Sequence, residues 1–298
     1  MKLFNKLLQT SLFAESWNVA WRQKQSGSIL FDKITPFTII QNSFRYWAAD
    51  PFIIEKNGEV YIFAELYDYI KRKGVLGCCK LNKNGKSNWI PIISEKFHLS
   101  YPYIFERNEQ VFIMPESGAG NVLLLYQAVE FPYKWKKIRV LRKDVNFADT
   151  TPLLFEKSRF AITHNVQDPY NPQLALIDLE NEYPDKIINT DVPFKTRPAG
   201  KPFVFKNEYV RPAQISLDCN SGYGKSIIFY KFNIDGDLYS EKPFCEIKPD
   251  DLNYTSKIYL DGMHTYNGSD HFEVIDIKTR RFNLLNFIFR LFGRFVKQ

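Results

Sequence analysis

Apolar and polar positions alternate in short runs along most of this chain, and the runs come in pairs. Asp50-Pro51-Phe52-Ile53-Ile54-Glu55 is followed by a polar Lys56-Asn57-Gly58 step and then by Glu59-Val60-Tyr61-Ile62-Phe63-Ala64-Glu65. β-Branched and aromatic residues on both sides of an Asn-Gly turn predict a β-hairpin. The pair recurs: residues 101–108 lead into 111–116, 151–158 into 160–164, and 201–207 into 209–211. The prolines marking the first run of each pair stand at 51, 102, 152 and 202, so by subtraction the steps are 51, 50 and 50. A fixed period near fifty, built from strands, is the pattern of a propeller.

Further strands complete each unit. Residues 75–81 and a strand near 89–90 belong to the first, 122–126 and 135–141 to the second, 174–177 to the third, and 226–230 to the fourth. A fifth unit begins at His264-Thr265-Tyr266 and continues through 272–276. It is incomplete, so a strand from elsewhere must finish it. Residues 17–22 or those near 37–40 can do so, and closing the ring removes exposed sheet edges. The expected fold is therefore all-β, a five-bladed β-propeller over residues 15–280. Residues 1–14 read as a short amphipathic helix. Residues 281–298 read as a second one, with Leu284, Leu285, Phe287, Ile288, Phe289, Leu291, Phe292 and Phe295 among Arg280, Arg281, Arg290, Arg294 and Lys297. A basic, aromatic helix suits a membrane interface, so residues 282–297 are the expected peripheral membrane contact.

Composition narrows the partners. At 298 residues and 16% aromatic content, the chain can build one large β-domain and still present rings on a binding face. A net charge of +7 suits a nucleotide-sugar phosphate or an anionic membrane surface. No basic run interleaves with aromatics, so no nucleic-acid partner is expected. The four cysteines, Cys78, Cys79, Cys219 and Cys245, lack metal-site spacing, which predicts reduced thiols and a cytoplasmic protein at the inner membrane face. No apolar run is long enough to span a bilayer, and no signal-peptide cleavage site follows the first residues. Neither a metal nor a cofactor is expected; Asp235-Gly236-Asp237 reads as a hairpin turn rather than a metal motif.

In a propeller the start of a blade's first strand and the end of its second lie at the same end of the ring. That geometry gathers Asp50 and Glu65, His98, Tyr101 and Glu116, Asp149 and His164, Arg197 and Arg211, and His264. Carboxylates bind sugar hydroxyls and act as acid, base or nucleophile. Aromatic faces stack on sugar rings, and arginines bind phosphate through two parallel hydrogen bonds. The catalytic candidates are Asp50, Glu116, Asp149 and His264. The substrate-binding candidates are Trp47, Glu65, His98, Tyr101, His164, Arg197 and Arg211. Each has a plainer reading: Asp50 as a turn acceptor, Glu65 and Glu116 as ion pairs between blades, His164 as structural, and the arginines as ties between loops.

Tyr46-Trp47-Ala48-Ala49-Asp50-Pro51-Phe52, His98-Leu99-Ser100-Tyr101-Pro102, Met114-Pro115-Glu116-Ser117, Asp149-Thr150-Thr151-Pro152-Leu153, Arg197-Pro198-Ala199-Gly200, Arg211-Pro212-Ala213-Gln214 and His264-Thr265-Tyr266-Asn267 occur in this order. The ordered set resembles the propeller found N-terminal to the catalytic domain of plant glucosamine inositolphosphorylceramide transferases, a domain that also stands alone in bacterial polysaccharide gene clusters. That domain is in turn similar to five-bladed glycoside hydrolase propellers. Their Asp on the first blade and Asp on a middle blade are matched by Asp50 and Asp149, while their later Glu acid is not. Glu116 is the nearest substitute, and blade four offers Arg197 and Arg211 instead. The resemblance implies a glycosyltransferase that uses a nucleotide-sugar donor. Its expected acceptor is a cell-surface polysaccharide, such as O-antigen or capsule, or a lipid-linked glycan. The alternatives are a non-catalytic glycan-binding propeller partnering a separate transferase, and a glycoside hydrolase.

Overall fold

The fold is laid down as a series of up-and-down hairpins, seen in a computed structural model. It describes residues 13–25, 34–82, 88–153, 159–168, 170–189, 193–216, 223–256 and 260–282. The strands, in chain order, are β1 (Phe13–Gln23), β2 (Thr38–Ile39), β3 (Tyr46–Lys56), β4 (Glu59–Asp68), β5 (Lys73–Lys80) and β6 (Ile90–Ile93). Then come β7 (Ser100–Arg107), β8 (Gln110–Glu116), β9 (Val122–Glu130), β10 (Lys134–Lys143), β11 (Phe147–Pro152), β12 (Phe160–Asn165), β13 (Gln173–Asp178) and β14 (Lys186–Ile187). The last are β15 (Phe203–Phe205), β16 (Glu208–Ile215), β17 (Ser226–Asp235), β18 (Leu238–Ile247), β19 (Tyr266–Gly268) and β20 (Phe272–Phe282).

They form five four-stranded antiparallel sheets: β3 to β6, β7 to β10, β11 to β14, β15 to β18, and a closing sheet in the order β19-β20-β1-β2. The all-β five-bladed propeller is thus the observed fold. Both candidate closing segments are used, since β1 and β2 together complete the fifth blade. Turn chemistry makes the hairpins tight. Asn57 and Gly58, Asn108 and Glu109, and Lys206 and Asn207 all have positive φ at the two central turn positions, the conformation whose twist matches the flanking strands. Asp235-Gly236-Asp237 is indeed a turn, with Gly236 at φ 57° and Asp237 paired to Lys186.

The apolar core is divided among the blade interfaces. Phe52, Phe63 and Leu76 of blade one meet Leu99, Tyr103 and Ile104 of blade two. Met114 and Leu123 meet Phe147 and Ile177 between blades two and three. Leu153, Ile162 and Leu176 meet Phe232, Val210 and Phe229 meet Ile275 and Ile277, and Val19 and Val274 meet Ile53 and Ile62 around the rest of the ring. Every blade is therefore covered on two faces, which is why its strands carry long apolar runs as well as alternation.

Two end segments differ from expectation. Phe13 and Ala14 begin β1, and Arg281 and Phe282 end β20, because β1 and β20 pair in unbroken register from Phe13↔Phe282 to Gln23↔Phe272. A helix at either end cannot include those four residues. The remainder of both helix expectations, residues 1–12 and 283–298, lies outside the described residues. The proline period is also only partly structural. Pro51 and Pro102 occupy equivalent places just after Asp50 and Tyr101, whereas Pro152 stands three residues after its counterpart Asp149.

Inside the closing blade, Arg22 and Glu273 are direct cross-strand partners and form a fully buried ion pair of 2.7 Å. Phe37 lies under the guanidinium at 4.4 Å, and the Tyr266 hydroxyl donates to the other Glu273 oxygen at 3.0 Å. Glu273→Ala removes this buried counter-charge from beside Arg22, a loss of about 3–5 kcal/mol in urea unfolding. Arg22→Met combined with Glu273→Leu is expected to recover most of it. A Glu273→Ala variant as stable as the wild type would show that this pair does not hold the ring shut.

Candidate active site

Three blades bend at the same place. Asp50, Tyr101 and Asp149 have φ of 51°, 45° and 52°, and each lies in a β-bulge, where strand register breaks between Ala49/Phe52, Ser100/Tyr103 and Ala148/Thr151. A bulge re-aims the residue it contains, and a non-glycine residue in this conformation costs on the order of 1 kcal/mol. Each strained residue is held by a carboxylate through its backbone N–H. Asp50 donates to Asp276 at 3.0 Å, Tyr101 to Asp50 at 3.3 Å, and Asp149 to Glu116 at 3.1 Å. Opposite the bulges, on the second strands, stand Glu65, Glu116 and His164, the partners of Ala49, Ser100 and Ala148.

Two hubs result. In the first, Asp276 accepts the N–H groups of His264 and Thr265 at 2.9 Å each and faces His264 Nδ1 at 2.6 Å. His264 Nε2 lies 3.4 Å from Asp50 Oδ1, which also accepts the Thr265 hydroxyl at 2.9 Å. Trp17 stacks on the His264 ring at 4.0 Å, and Tyr223 meets it edge-on at 5.2 Å. In the second hub, Arg197 Nε donates to Asp149 at 2.5 Å and its Nη2 to Glu116 at 3.1 Å, while Gln214 donates to Asp149 at 3.0 Å. Between the hubs, Glu65 Oε1 lies 3.4 Å from Nε2 of His98. Exposure grades inward: His98, Arg197 and Glu116 side chains are 35, 24 and 20% exposed, against 9, 7 and 3% for Asp50, Glu65 and Asp149.

The floor is short of positive charge, which raises the proton affinity of its acids. Burial, with Asp149 and Asp276 adding repulsion, pushes the Asp50 carboxyl up to about 6 against the pull of His264 and Thr265. Burial and Glu116 push Asp149 up to about 7 despite Arg197. Burial and the surrounding carboxylates hold Glu65 well above the usual range. Burial opposes the charge on His264, but Asp276 and Asp50 overcome it and raise its affinity for a proton. Burial lowers that of His98.

Ligand atoms of Asp50, His264 and Asp276 lie within 4.8 Å of one another, a spacing that could hold a metal ion. All four carboxylate oxygens of this group already accept hydrogen bonds from the protein or, for Asp276 Oδ2, face His264 as well. With these oxygens already bonded within the protein, the cluster serves as a hydrogen-bonded hub of the site.

Asp50, Glu65, His98, Glu116, Asp149, Arg197 and His264 thus come together. Tyr101, Trp47 and Arg211 come out differently. Tyr101 belongs to the site's frame: it is 1% exposed, packs edge-on to Phe52, and ties three blades through Thr151 at 2.8 Å and the Gly200 N–H at 2.7 Å. Gly200 in turn lets the closing blade come close, because a Cβ there would fall 1.8 Å from the Tyr266 carbonyl oxygen. His164, buried across from Ala148, takes on its blade the place that Glu65 and Glu116 take on theirs. Trp47 stacks on Tyr67 at 4.9 Å, further along the same hairpin, as a rim element. Arg211 is not in the funnel. It is fully buried against Glu241 at 2.6 and 2.7 Å, with Tyr239 and the Thr196 carbonyl as further partners. Arg211 and Gln214 are three apart on β16 and so face opposite sides, and Gln214 is the one turned to Asp149. Gln214, Thr265, Asp276, Trp17 and Tyr223 are additional site residues. One signal points to two of them: a polar residue closes the apolar run of every second strand, at Glu65, Glu116, His164, Gln214 and Asp276.

Fold and site together define a five-bladed propeller with an acidic, arginine-bearing funnel on its axis. The chain belongs to the family described as glucosamine inositolphosphorylceramide transferase 1, N-terminal, whose model matches residues 15–282. It is 28% identical over 250 residues to glucosamine inositolphosphorylceramide transferase 1 of Arabidopsis thaliana, covering 78% of this chain and 31% of that protein. The protein of the same name from Oryza sativa subsp. japonica is 25% identical over 210 residues, covering 66% and 28%. The chain therefore spans less than a third of the length of these relatives. In fold it is similar to the catalytic domain of a GH62 α-L-arabinofuranosidase from Coprinopsis cinerea, with TM-score 0.56, 10% identity, and 87% and 97% of the two chains covered. A GH43_1 enzyme from Xanthomonas citri complexed with xylotriose gives TM-score 0.52 at 8% identity, covering 79% and 86%.

Asp149 generates a test of the site's electrostatics. Its folded-state pKa lies above the unfolded value, so its stabilising contribution is complete below the unfolded pKa, about 3.9. That contribution is lost as pH rises through about 7. The melting temperature of the wild type minus that of Asp149→Asn should therefore fall between pH 5 and pH 8, read by thermal unfolding. A gap that stays constant or widens contradicts the raised pKa.

Proposed function

We propose that this propeller is a glycosyltransferase that moves a sugar from a nucleotide-sugar donor to a glycan or lipid-linked glycan acceptor. The observation that carries the reading is the placement of Arg197 beside Asp149 and Glu116, in one funnel with Asp50. Among the described residues Arg197 Nη1 makes no hydrogen bond, so one edge of the guanidinium is open to a donor phosphate. Asp50 is then the carboxylate that takes the acceptor hydroxyl proton, and it is largely ionised above about 6. Asp149 and Glu116 hold Arg197 in place, and His264 with Asp276 fixes Asp50. Membership of a transferase-named family supports the reading. The apolar, basic residues 282–297 would keep the enzyme beside a lipid-linked acceptor at the cytoplasmic membrane face.

A second reading has its own support. The match is to the N-terminal part of relatives of which it covers less than a third, which suits a glycan-binding propeller that partners a separate transferase. Hydrolysis is the weaker reading, since blade four presents Arg197 and Gln214 rather than a carboxylic acid at this end of the ring.

Purified protein incubated with a panel of nucleotide-sugars and lipid-linked acceptors should form a glycosylated product, and Asp50→Asn should lower the rate about 100-fold or more. Sugar binding without turnover of any donor would favour the binding module, and free sugar released without a donor would favour hydrolysis.

A further inference from the structure

We propose that Glu65 is the group that gives a proton to the departing oxygen during transfer, with His98 as the residue that positions it. The assignment rests on the transferase reading above. Four observations meet on this pair. His98 Nδ1 accepts the Gly74 N–H at 2.9 Å, so the neutral ring carries its proton on Nε2, the atom that faces Glu65 Oε1 at 3.4 Å. Glu65 is buried, and among the described residues Oε1 accepts no hydrogen bond, with His98 Nε2 its near neighbour at 3.4 Å. Gly74 leaves the space for this meeting: a Cβ there would lie 2.7 Å from Glu65 Oε1 and 2.8 Å from His98 Cε1. And the pair borders the funnel, with the His98 side chain 35% exposed and Glu65 across from Ala49, next to Asp50.

The charged neighbours decide the protonation state. Asp50, Glu116, Asp149 and Asp276 all face Glu65 and disfavour its carboxylate, as does burial. His98 is kept neutral by burial, with Arg197 and Lys73 opposing its protonation and Asp50 favouring it. A neutral imidazole N–H beside Oε1 favours the acid proton on Oε2. Arg197 shares its charge with Asp149 and Glu116, so a departing phosphate oxygen gains further stabilisation from a proton. The balance is complete. The bond from the anomeric carbon to the leaving oxygen breaks, and that oxygen takes the Glu65 proton. The acceptor oxygen bonds to the anomeric carbon and gives its proton to Asp50. The new Glu65 carboxylate can take a hydrogen bond from the neighbouring His98 Nε2–H, and proton exchange with water returns Glu65 to the acid and Asp50 to the carboxylate.

Two measurements test this. The first is the carboxyl ¹³C titration of protein labelled on glutamate, with Glu65→Gln supplying the assignment. Glu65 should remain a carboxylic acid at neutral pH. His98→Ala should move its titration to still higher pH, because a donor to the carboxylate is gone. Glu65 ionised in the ordinary range near 4.3, or a titration indifferent to His98→Ala, overturns the pair. The second uses any donor the wild type turns over. Glu65→Gln should lower kcat about 100-fold with little change in KM. His98→Ala should shift the alkaline limb of the pH–rate profile upward. Full kcat in Glu65→Gln overturns the proton transfer. A wild type inactive on every donor, with Glu65 still protonated, overturns the transferase reading and the recipient of the proton but not the pair. Glu65 ionised in an active wild type overturns the pair and leaves transfer standing.

Discussion

The Asp276 carboxylate is the joint on which both ring and site depend. It belongs to β20, the last described strand, and accepts the backbone N–H of Asp50 in blade one together with those of His264 and Thr265 in its own blade. A buried carboxylate accepting three backbone donors is well compensated. Its bond to Asp50 crosses from the closing blade to blade one. The positive φ of Asp50 is unfavourable by itself and persists because that bond and the pairing of β1 with β20 determine it. Closure and site geometry are therefore one set of interactions. The same device recurs at Tyr101 and Asp149, whose N–H groups are held by Asp50 and Glu116. The funnel's carboxylates thus work as backbone acceptors before they do anything to a ligand.

That double duty explains the charge state of the floor. Asp50, Glu65, Glu116, Asp149 and Asp276 converge on Arg197 and His264, five acids on two cations. Like charges in a low dielectric cannot all ionise, so protons remain on some of the acids. Asp276 accepts three N–H groups and faces His264, and Glu116 accepts from Arg197 and one N–H. Asp50, Asp149 and Glu65 carry the upward shifts. Separation of this kind, with neighbouring acids driven to different protonation states by environment, is what general acid and base chemistry requires.

Much of the fold was legible because propeller blades repeat local chemistry. The hairpin turns follow from Asn-Gly and its variants, and the need for a closing strand follows from an incomplete fifth unit. The bulges were not legible. Proline spacing matched them at Pro51 and Pro102 and missed at Pro152, because a proline tolerates several places near a bulge whereas the bulge itself is defined by pairing across strands. Of the site, the carboxylates near hairpin ends were readable from strand direction alone. Arg211 was misplaced because strand direction says which end of the ring a residue occupies and not which face of the blade it leaves. Parity along β16 sends Gln214 inward and Arg211 toward Glu241. Asp276 and Thr265 escaped notice because their importance comes from the seam, a contact between residues more than two hundred apart.

The gradient of exposure bears on which reaction such a funnel favours. Polar, partly exposed His98, Arg197 and Glu116 ring the mouth, while Asp50, Glu65 and Asp149 sit nearly dry below them. A charged donor phosphate can stay at the mouth against Arg197, keeping much of its hydration, while the neutral sugar reaches the acids. At the floor a low dielectric strengthens each hydrogen bond to a hydroxyl and leaves little room for loosely held water. Under the proposed reading, a sugar hydroxyl brought in by its own binding contacts then competes well with water for the anomeric carbon. A floor of this kind suits transfer between sugars better than release of sugar into solvent, and the arginine at its mouth suits a phosphate-bearing donor.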